Sequence, residues 1–129
     1  MEKQVVRFGP FKNFIANGVK IGNVLYLSGQ VSVDNEGNVI GADDLVIQVR
    51  RCYANIKEVL DEYEAAMDSI VDEMWLVTDM KGTMSNIEQL FTVRAEAYGG
   101  NPDVTQTLVQ VAGLVMPELL IEIKCIAHL

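Results

Sequence analysis

Glu122 is the residue of this sequence whose surroundings most strongly suggest chemistry. It interrupts the apolar run Leu119-Leu120-Ile121-Glu122-Ile123 near the C-terminus. A carboxylate in an apolar strand needs a partner, a proton or water at an interface, because burying an isolated charge is costly. Partial desolvation would raise its pKa toward the range in which a carboxyl exchanges protons near neutral pH. Spacing alone leaves two alternatives open: an edge position facing solvent, or neutralisation by Lys124 on the same strand face.

A second candidate is the tripeptide Ser28-Gly29-Gln30, which follows the apolar stretch Val24-Leu25-Tyr26-Leu27. Glycine allows close approach of the backbone to a ligand, and the serine hydroxyl can both donate and accept a hydrogen bond. These properties are typical of a binding site at the end of a strand. An ordinary turn explains the tripeptide equally well.

Other common catalytic patterns are missing from the sequence, which contains no GxSxG, GxGxxG, P-loop or HExxH motif. The single histidine, His128, is the next-to-last residue, a position more typical of the surface than of a base. Cys52 and Cys125 lack the spacing of zinc ligands and are interpreted as reduced thiols. We therefore expect no metal, no cofactor and no Ser-His-Asp or Cys-His triad.

Composition limits the classes of protein to which the chain can belong. Its 129 residues are 50% hydrophobic and 22% charged, which suits one compact domain with a buried core. The net charge of −8, from 10 basic and 18 acidic residues, disfavours binding to nucleic acid or to anionic membranes. The sequence has no apolar run near the ~20 residues that span a bilayer and no signal-peptide pattern. We expect a cytoplasmic protein.

Periodicity predicts the elements that must position these residues. Strands are expected at 5–8, at 24–27 and in a hairpin over 31–40, followed by an amphipathic helix over 42–67. Residues 70–78 predict a strand buried on both sides, and Ser85-Asn86-Ile87-Glu88 has the capping-box spacing of a helix that ends near Tyr98. Two further strands are predicted at 105–112 and 119–127.

This order, β β β α β α β β, predicts an α+β fold in which one mixed sheet is covered on one face by two helices. The sheet is rich in Val, Leu and Ile, and two helices cannot cover both of its faces. An apolar face left open in one chain is naturally buried by another copy. We therefore expect a homo-oligomer.

Four segments in the right order resemble one known family. They are Gly22-Asn23-Val24-Leu25-Tyr26-Leu27-Ser28-Gly29-Gln30, Asn55-Ile56-Lys57-Glu58-Val59-Leu60, Thr107-Leu108-Val109-Gln110-Val111 and the closing stretch Leu119-Leu120-Ile121-Glu122-Ile123-Lys124-Cys125-Ile126-Ala127. Together they resemble the RidA family, also called YjgF or endoribonuclease L-PSP, over nearly the whole chain. The resemblance implies a single RidA-like domain over 1–129 with the chorismate-mutase-like fold, assembled as a homotrimeric barrel with small-molecule clefts between subunits.

The resemblance also implies an activity. RidA-type proteins hydrolyse reactive enamines and imines to a carbonyl compound and ammonia without a cofactor of their own. Carried over, Glu122 would position or activate the attacking water, and Ser28 and the Gly29 backbone would line the same cleft. Phe14 or Ile15 falls near the family's aromatic position.

Two departures from the family pattern bear on the substrate. Gln106 stands where active deaminases carry an arginine that clamps the substrate carboxylate, and a neutral amide forfeits about 1.5 to 3 kcal/mol of that interaction. Arg94 replaces a family aromatic residue, so it either supplies the missing positive charge or extends along the helix edge into solvent. A non-catalytic trimer that binds a small metabolite, with Gln106 recognising an amide or hydroxyl, is the alternative. Ribonuclease activity is disfavoured by the acidic charge.

Overall fold

The computed structural model describes residues 1–129, which form seven strands and three α-helices. In chain order these are β1 (Lys3–Val6), β2 (Gly18–Ile21), β3 (Val24–Leu27), β4 (Gln30–Val31), α1 (Leu45–Glu62), β5 (Ile70–Val77), α2 (Met80–Ser85), α3 (Ile87–Tyr98), β6 (Thr105–Gln110) and β7 (Ile121–His128). A short 3-10 turn, Met67–Ser69, leads into β5. The architecture is α+β, as the sequence predicts.

The strands form one mixed sheet in the order β1-β2-β3-β7-β5-β6, with β4 also pairing with β7. Only β5 and β6 run parallel; the other pairs are antiparallel. Strand β7 is therefore the centre of the sheet, because it pairs with β5 on one side and with both β3 and β4 on the other. Glu122 lies in this central strand, paired with Val31 of β4.

Alternation along β7 divides the sheet into two different faces. Ile121, Ile123, Cys125 and Ala127 are buried beneath the helices, whereas Glu122, Lys124 and Ile126 project from the opposite face. Pairing extends that second face to Met74 and Leu76 of β5. We call this second face the outer face.

Helices α1 and α3 supply the cover on the inner face. Helix α1 begins after Asp44, whose carboxylate accepts the Ile47 backbone N–H at 3.1 Å, and it buries Val49, Cys52, Ile56 and Val59. Trp75 of β5 is fully buried and packs edge-on against Phe91 of α3, with ring centroids 5.5 Å apart. No helix combines the length and apolarity that a membrane span requires.

The boundaries of several elements differ from the predictions. Helix α1 occupies 45–62 instead of 42–67, because Asp44 caps its start and the chain leaves the helix near Glu64, whose φ is +54°. Strand β1 lies at 3–6 instead of 5–8, and β2 was not predicted since its lysine and short length weaken the strand pattern. The last two strands occupy 105–110 and 121–128.

The prediction of a helix cap at Ser85 was wrong. Ser85 is not a helix cap: it is the last residue of α2, and its hydroxyl donates to the Lys81 carbonyl at 2.9 Å. The helix predicted to start with a cap at Ser85 starts instead at Ile87, because α2 ends at Ser85 and Asn86 is the N-cap of α3. The hairpin predicted over 31–40 is present in short form: Val33 and Val39 form an antiparallel bridge, and the backbone N–H groups of Asp34 and Ile40 donate to the carbonyls of Asn38 and Ser32, each at 2.9 Å.

Candidate functional site

A cavity of about 220 Å³ opens beside Glu122. Its walls come from the segment between β1 and β2, from the junction of β3 with β4, from the loop that follows β4 and from one side of α1. The lining residues include Phe8, Phe11, Ile15, Ser28, Gly29, Asp34, Asn55, Glu58 and Glu122. With Glu122 of β7, the structure thus brings together five segments that are separate in the sequence.

Glu122 lies directly against Gly29. A side chain at position 29 would overlap the carboxylate, since a Cβ there would stand 2.7 Å from the Glu122 carboxyl carbon. Glycine is therefore needed at this position to let the carboxyl reach its place, which is a more specific reason than the turn that the sequence allowed. The contact accounts for why Gly29 and Glu122 belong to one site.

The Glu122 carboxyl is half-buried and accepts no hydrogen bond from any protein group. Burial raises its pKa above the usual range of a glutamate, and the positive charge of Lys124 opposes this effect without cancelling it. Lys124 does not bond to the carboxyl; its Nζ donates to the Leu27 carbonyl at 2.7 Å. The lone pairs of Glu122 are consequently free for a ligand or water.

Ser28 holds two segments of the cavity wall together. Its hydroxyl donates to the Ala16 carbonyl at 2.6 Å, and its backbone N–H donates to the Asn17 carbonyl at 3.0 Å. Because the hydroxyl proton is engaged in this way, Ser28 Oγ can only accept from a ligand. Ser28 lines the cavity, and its hydroxyl is not available as a donor to a ligand.

Asn55 and Glu58 of α1 were not singled out in the sequence. Asn55 Nδ2 donates to the carbonyls of Val31 and Val33 at 2.9 and 3.0 Å, which fixes the loop after β4 against α1. Glu58 lies one turn further along the helix and is exposed at the cavity rim. Both lie in the segment Asn55-Ile56-Lys57-Glu58-Val59-Leu60 that resembles the family, but that resemblance gave neither residue a role; in the structure Asn55 is buried and Glu58 is exposed.

Ile15 and Phe14 differ in their relation to the cavity. Ile15 lines it while remaining 51% exposed, whereas Phe14 is 85% exposed and does not contribute to the wall. Both lie in a turn closed by hydrogen bonds from their backbone N–H groups to the Phe11 carbonyl at 2.9 and 3.0 Å. Of the two positions predicted for the site, the structure places Ile15 next to the other lining residues.

Gln106 and Arg94, two further residues predicted for the site, lie outside the cavity. Gln106 pairs in register with Glu73 of β5, so its side chain projects from the inner face, opposite to Glu122. The side chain of Arg94 is only 11% exposed, and its Nε donates to Glu73 Oε1 at 2.7 Å. Arg94 therefore neither extends into solvent nor lines the cavity, and the structure does not bring these two residues together with Ser28, Gly29 and Glu122.

Glu73 is a buried charge that is not among the candidate residues predicted from the sequence. Its side chain is fully buried and accepts hydrogen bonds from Arg94, from Tyr53 Oη at 2.8 Å and from Tyr98 Oη at 3.1 Å, with Gln106 Nε2 at 3.5 Å. Burial and the adjacent Glu73 charge raise the pKa of the Tyr53 hydroxyl. The signal was available: Glu73 interrupts an apolar strand just as Glu122 does.

The comparisons with known proteins agree with this fold. The family described as Endoribonuclease L-PSP matches residues 5–129. A RutC family protein of Saccharolobus solfataricus is 32% identical over 98% of this chain and 93% of its own, and one of Pyrococcus abyssi is 28% identical over 98% and 92%.

Solved structures show the same architecture. RidA from Psychrobacter sp. PAMC 21119 superposes with a TM-score of 0.80 at 24% identity, covering 100% of this chain and 99% of its own. A Rid-family protein of unknown function from Yersinia pestis superposes at 0.85 with 23% identity, covering 99% and 100%. The predicted resemblance is confirmed, and the chain belongs to the RidA/YjgF family, also described as the endoribonuclease L-PSP family.

Proposed function

We propose that this protein hydrolyses a small imine, or the imine formed from an enamine, to a carbonyl compound and ammonia, with Glu122 as the catalytic residue. Glu122 accepts a proton from water as the water oxygen bonds to the imine carbon, and it returns a proton to the nitrogen. Glu122 then takes the hydroxyl proton of the resulting aminoalcohol and delivers it to the nitrogen as the C–N bond breaks; the bonding electron pair stays on nitrogen, and ammonia leaves. The sum, imine plus water giving carbonyl plus ammonia, requires no oxidant, reductant or cofactor.

The observation that carries this proposal is the state of the Glu122 carboxyl. It faces a cavity, accepts no hydrogen bond from the protein and has a pKa raised by burial. A carboxyl with these properties can take up and release a proton closer to neutral pH than an exposed glutamate can. A hydrolysis that moves protons between water and nitrogen uses this property directly.

We propose further that the protein assembles as a homotrimeric barrel in which the outer faces are buried. Tyr26 is 47% exposed on this face, beside half-buried Met74, Leu76 and Ile126. Burying such apolar area is favourable by about 25 cal/mol per Å². Because Glu122 belongs to the outer face, its cavity would then lie at the subunit interface, and the small molecule would bind there.

The test is ammonia release from a panel of small imines by the parent protein and by Glu122→Gln. The variant keeps the shape of the side chain but cannot exchange a proton, so we expect its rate to fall by about 10²- to 10⁴-fold. Glu118→Gln, an exposed glutamate shortly before β7, is the matched control and should act like the parent.

Equal rates for Glu122→Gln and the parent would overturn the catalytic role. A parent that releases no ammonia above the uncatalysed rate, yet gains thermal stability from a small molecule, would instead support the non-catalytic binding trimer. Ribonuclease activity has no support in the cavity, since its carboxylates at positions 34, 58 and 122 repel phosphates.

A further inference from the structure

We propose that the cavity selects imines that are positively charged and carry no carboxylate. This inference rests on the proposed function and narrows it to a substrate class. Three features of the cavity support it: the charges of its wall, its aromatic rings, and the contacts of the nearby cations.

Carboxylates provide the charged side chains of the cavity wall. Glu122, Glu58 and Asp34 approach it from β7, from α1 and from the loop after β4. Asp34 is held ionised by the turn it organises, where its Oδ1 accepts the backbone N–H groups of Glu36 and Asn38, each at 2.9 Å. Glu58 makes no hydrogen bond and is free to turn toward a ligand. A cavity lined in this way concentrates cations and repels anions.

Aromatic rings add to the same preference. Phe8 and Phe11 belong to the cavity wall contributed by the segment between β1 and β2. The face of a phenyl ring attracts a cation through its quadrupole, most strongly where water is displaced. Carboxylates and phenyl rings in one wall are the usual partners of an ammonium or iminium group.

The basic side chains that could have bound a carboxylate are engaged elsewhere. The Arg94 guanidinium is bound to Glu73 on the inner face. Its Cζ lies 5.6 Å from the ring centroid of Phe91 and 5.5 Å from that of Tyr98. Lys124, the cation whose charge acts on Glu122, donates its Nζ to the Leu27 carbonyl. A substrate carboxylate would therefore meet Glu122, Glu58 and Asp34 in the cavity wall. Lys124 and Arg51, the cations whose charges act on Glu122 and Asp34, are not part of that wall and donate to the backbone carbonyls of Leu27 and Val33.

The cavity volume, about 220 Å³, is below the range of sites for drug-sized ligands. A small substrate fits this volume within one chain, and the charges of the wall favour a short-chain imine protonated on nitrogen, of the kind produced when a primary amine is oxidised. The reaction balances as iminium plus water giving carbonyl plus ammonium. An enzyme that supplies this substrate must belong to the class that oxidises primary amines to imines.

The experiment compares two imines that differ only in the carboxylate. An amine oxidase acting on propylamine generates propan-1-imine, and an amino acid oxidase acting on 2-aminobutanoate generates 2-iminobutanoate. Both oxidases consume oxygen and release hydrogen peroxide, so catalase is present in every reaction. We expect the parent to accelerate ammonia release from propan-1-imine at least 10-fold more, in kcat/KM, than from 2-iminobutanoate.

Charge reversal tests the origin of that selectivity. Glu58→Lys places a cation at the cavity rim and should shift the ratio of the two kcat/KM values toward 2-iminobutanoate by about 2- to 5-fold at low salt, an effect that salt screens. Glu62→Lys changes the net charge equally, one turn further along α1 and outside the cavity, and should leave the ratio unchanged.

The two proposals fail in different ways. Hydrolysis of 2-iminobutanoate in preference to propan-1-imine would overturn the charge selectivity and leave imine hydrolysis in place. Acceleration of neither imine, in a protein shown to be folded, would overturn both. An equal shift of the ratio in Glu58→Lys and Glu62→Lys would show that net charge, and not the cavity wall, sets the selectivity.

Discussion

Glu73 and Glu122 each interrupt an apolar strand, yet the surroundings of the two carboxylates in the folded chain are opposite. Glu73 lies on the inner face, fully buried, with a guanidinium and two tyrosine hydroxyls bonded to it. Glu122 lies on the outer face, half-buried beside a cavity, and accepts no protein hydrogen bond. The first carboxylate connects α1, α3 and the sheet, and the second is left available to a ligand.

The difference teaches that burial alone does not identify a reactive carboxyl. A buried carboxylate whose lone pairs are all occupied has no capacity left for a substrate, whatever its depth. A carboxyl that is desolvated but unpartnered keeps that capacity, and its pKa rises as well. The number of hydrogen-bond donors around each carboxyl thus distinguishes Glu73, which has a structural role, from Glu122, for which we propose proton transfer.

The largest effect is expected from breaking the partnered carboxylate. Arg94→Met removes the guanidinium and leaves Glu73 as an uncompensated charge, which should lower the free energy of unfolding by about 3–5 kcal/mol. Urea unfolding at fixed protein concentration measures it. Adding Glu73→Gln to this variant should recover part of the loss, because the remaining buried group is then neutral. No recovery in the double variant would show that packing, and not charge, explains the loss.

The next effect tests the contact that places Glu122. In Gly29→Ala the new Cβ meets the end of the Glu122 side chain, which can move aside, so we expect a folded protein whose carboxyl is displaced. Misplacement of this kind costs on the order of 10²-fold in rate of ammonia release. Gly113→Ala is the matched control, because no atom lies within 4 Å of its added Cβ. Equal rates for both variants would separate Gly29 from the site.

A smaller effect concerns stability as a function of pH. Because burial raises the folded-state pKa of Glu122, the carboxyl's favourable contribution is complete below its ordinary value of 4.5 and is lost as pH rises through the folded-state pKa. Glu122→Gln cannot ionise, so its Tm should exceed that of the parent by about 1–2 °C at pH 7. The difference should vanish at pH 4; a less stable variant at pH 7 would indicate a stabilising partner for the charge.

The smallest effect is expected at an exposed ion pair. Lys57 and Asp61 lie 3.1 Å apart on α1 with both side chains mostly exposed. Lys57→Ala should change the free energy of unfolding by no more than about 0.5 kcal/mol, and less in high salt. A loss as large as that of Arg94→Met would remove the distinction between buried and exposed charges.

Part of this organisation could be predicted from the sequence, and the reasons are physical. The strand at 24–27 follows from consecutive apolar residues, and Glu122 and Gly29 follow from a charge in an apolar strand and a glycine at a strand end. These signals are local. The contact between Gly29 and Glu122 is not, since it joins residues 93 positions apart through the pairing of β4 with β7.

What the sequence could not supply was the face on which each side chain lies. The stretch Thr105-Gln106-Thr107-Leu108 does not show which of its residues are inward, so the position of Gln106 depends on the parallel register with β5. Arg94 lies on a helix whose apolar pattern is interrupted, and its partner Glu73 is 21 residues away. Such long-range pairings are properties of the folded chain.

The most direct measurement is a pH titration of the Glu122 carboxyl carbon by ¹³C NMR in glutamate-labelled protein, assigned by the signal missing from Glu122→Gln. A desolvated, unpartnered carboxyl predicts a midpoint above the ordinary value of 4.5. It also predicts a further change in the signal when a short-chain amine binds. A midpoint at or below 4.5 would show a carboxylate already stabilised by solvent or by donors, and would contradict the account of Glu122 as the proton-transferring group.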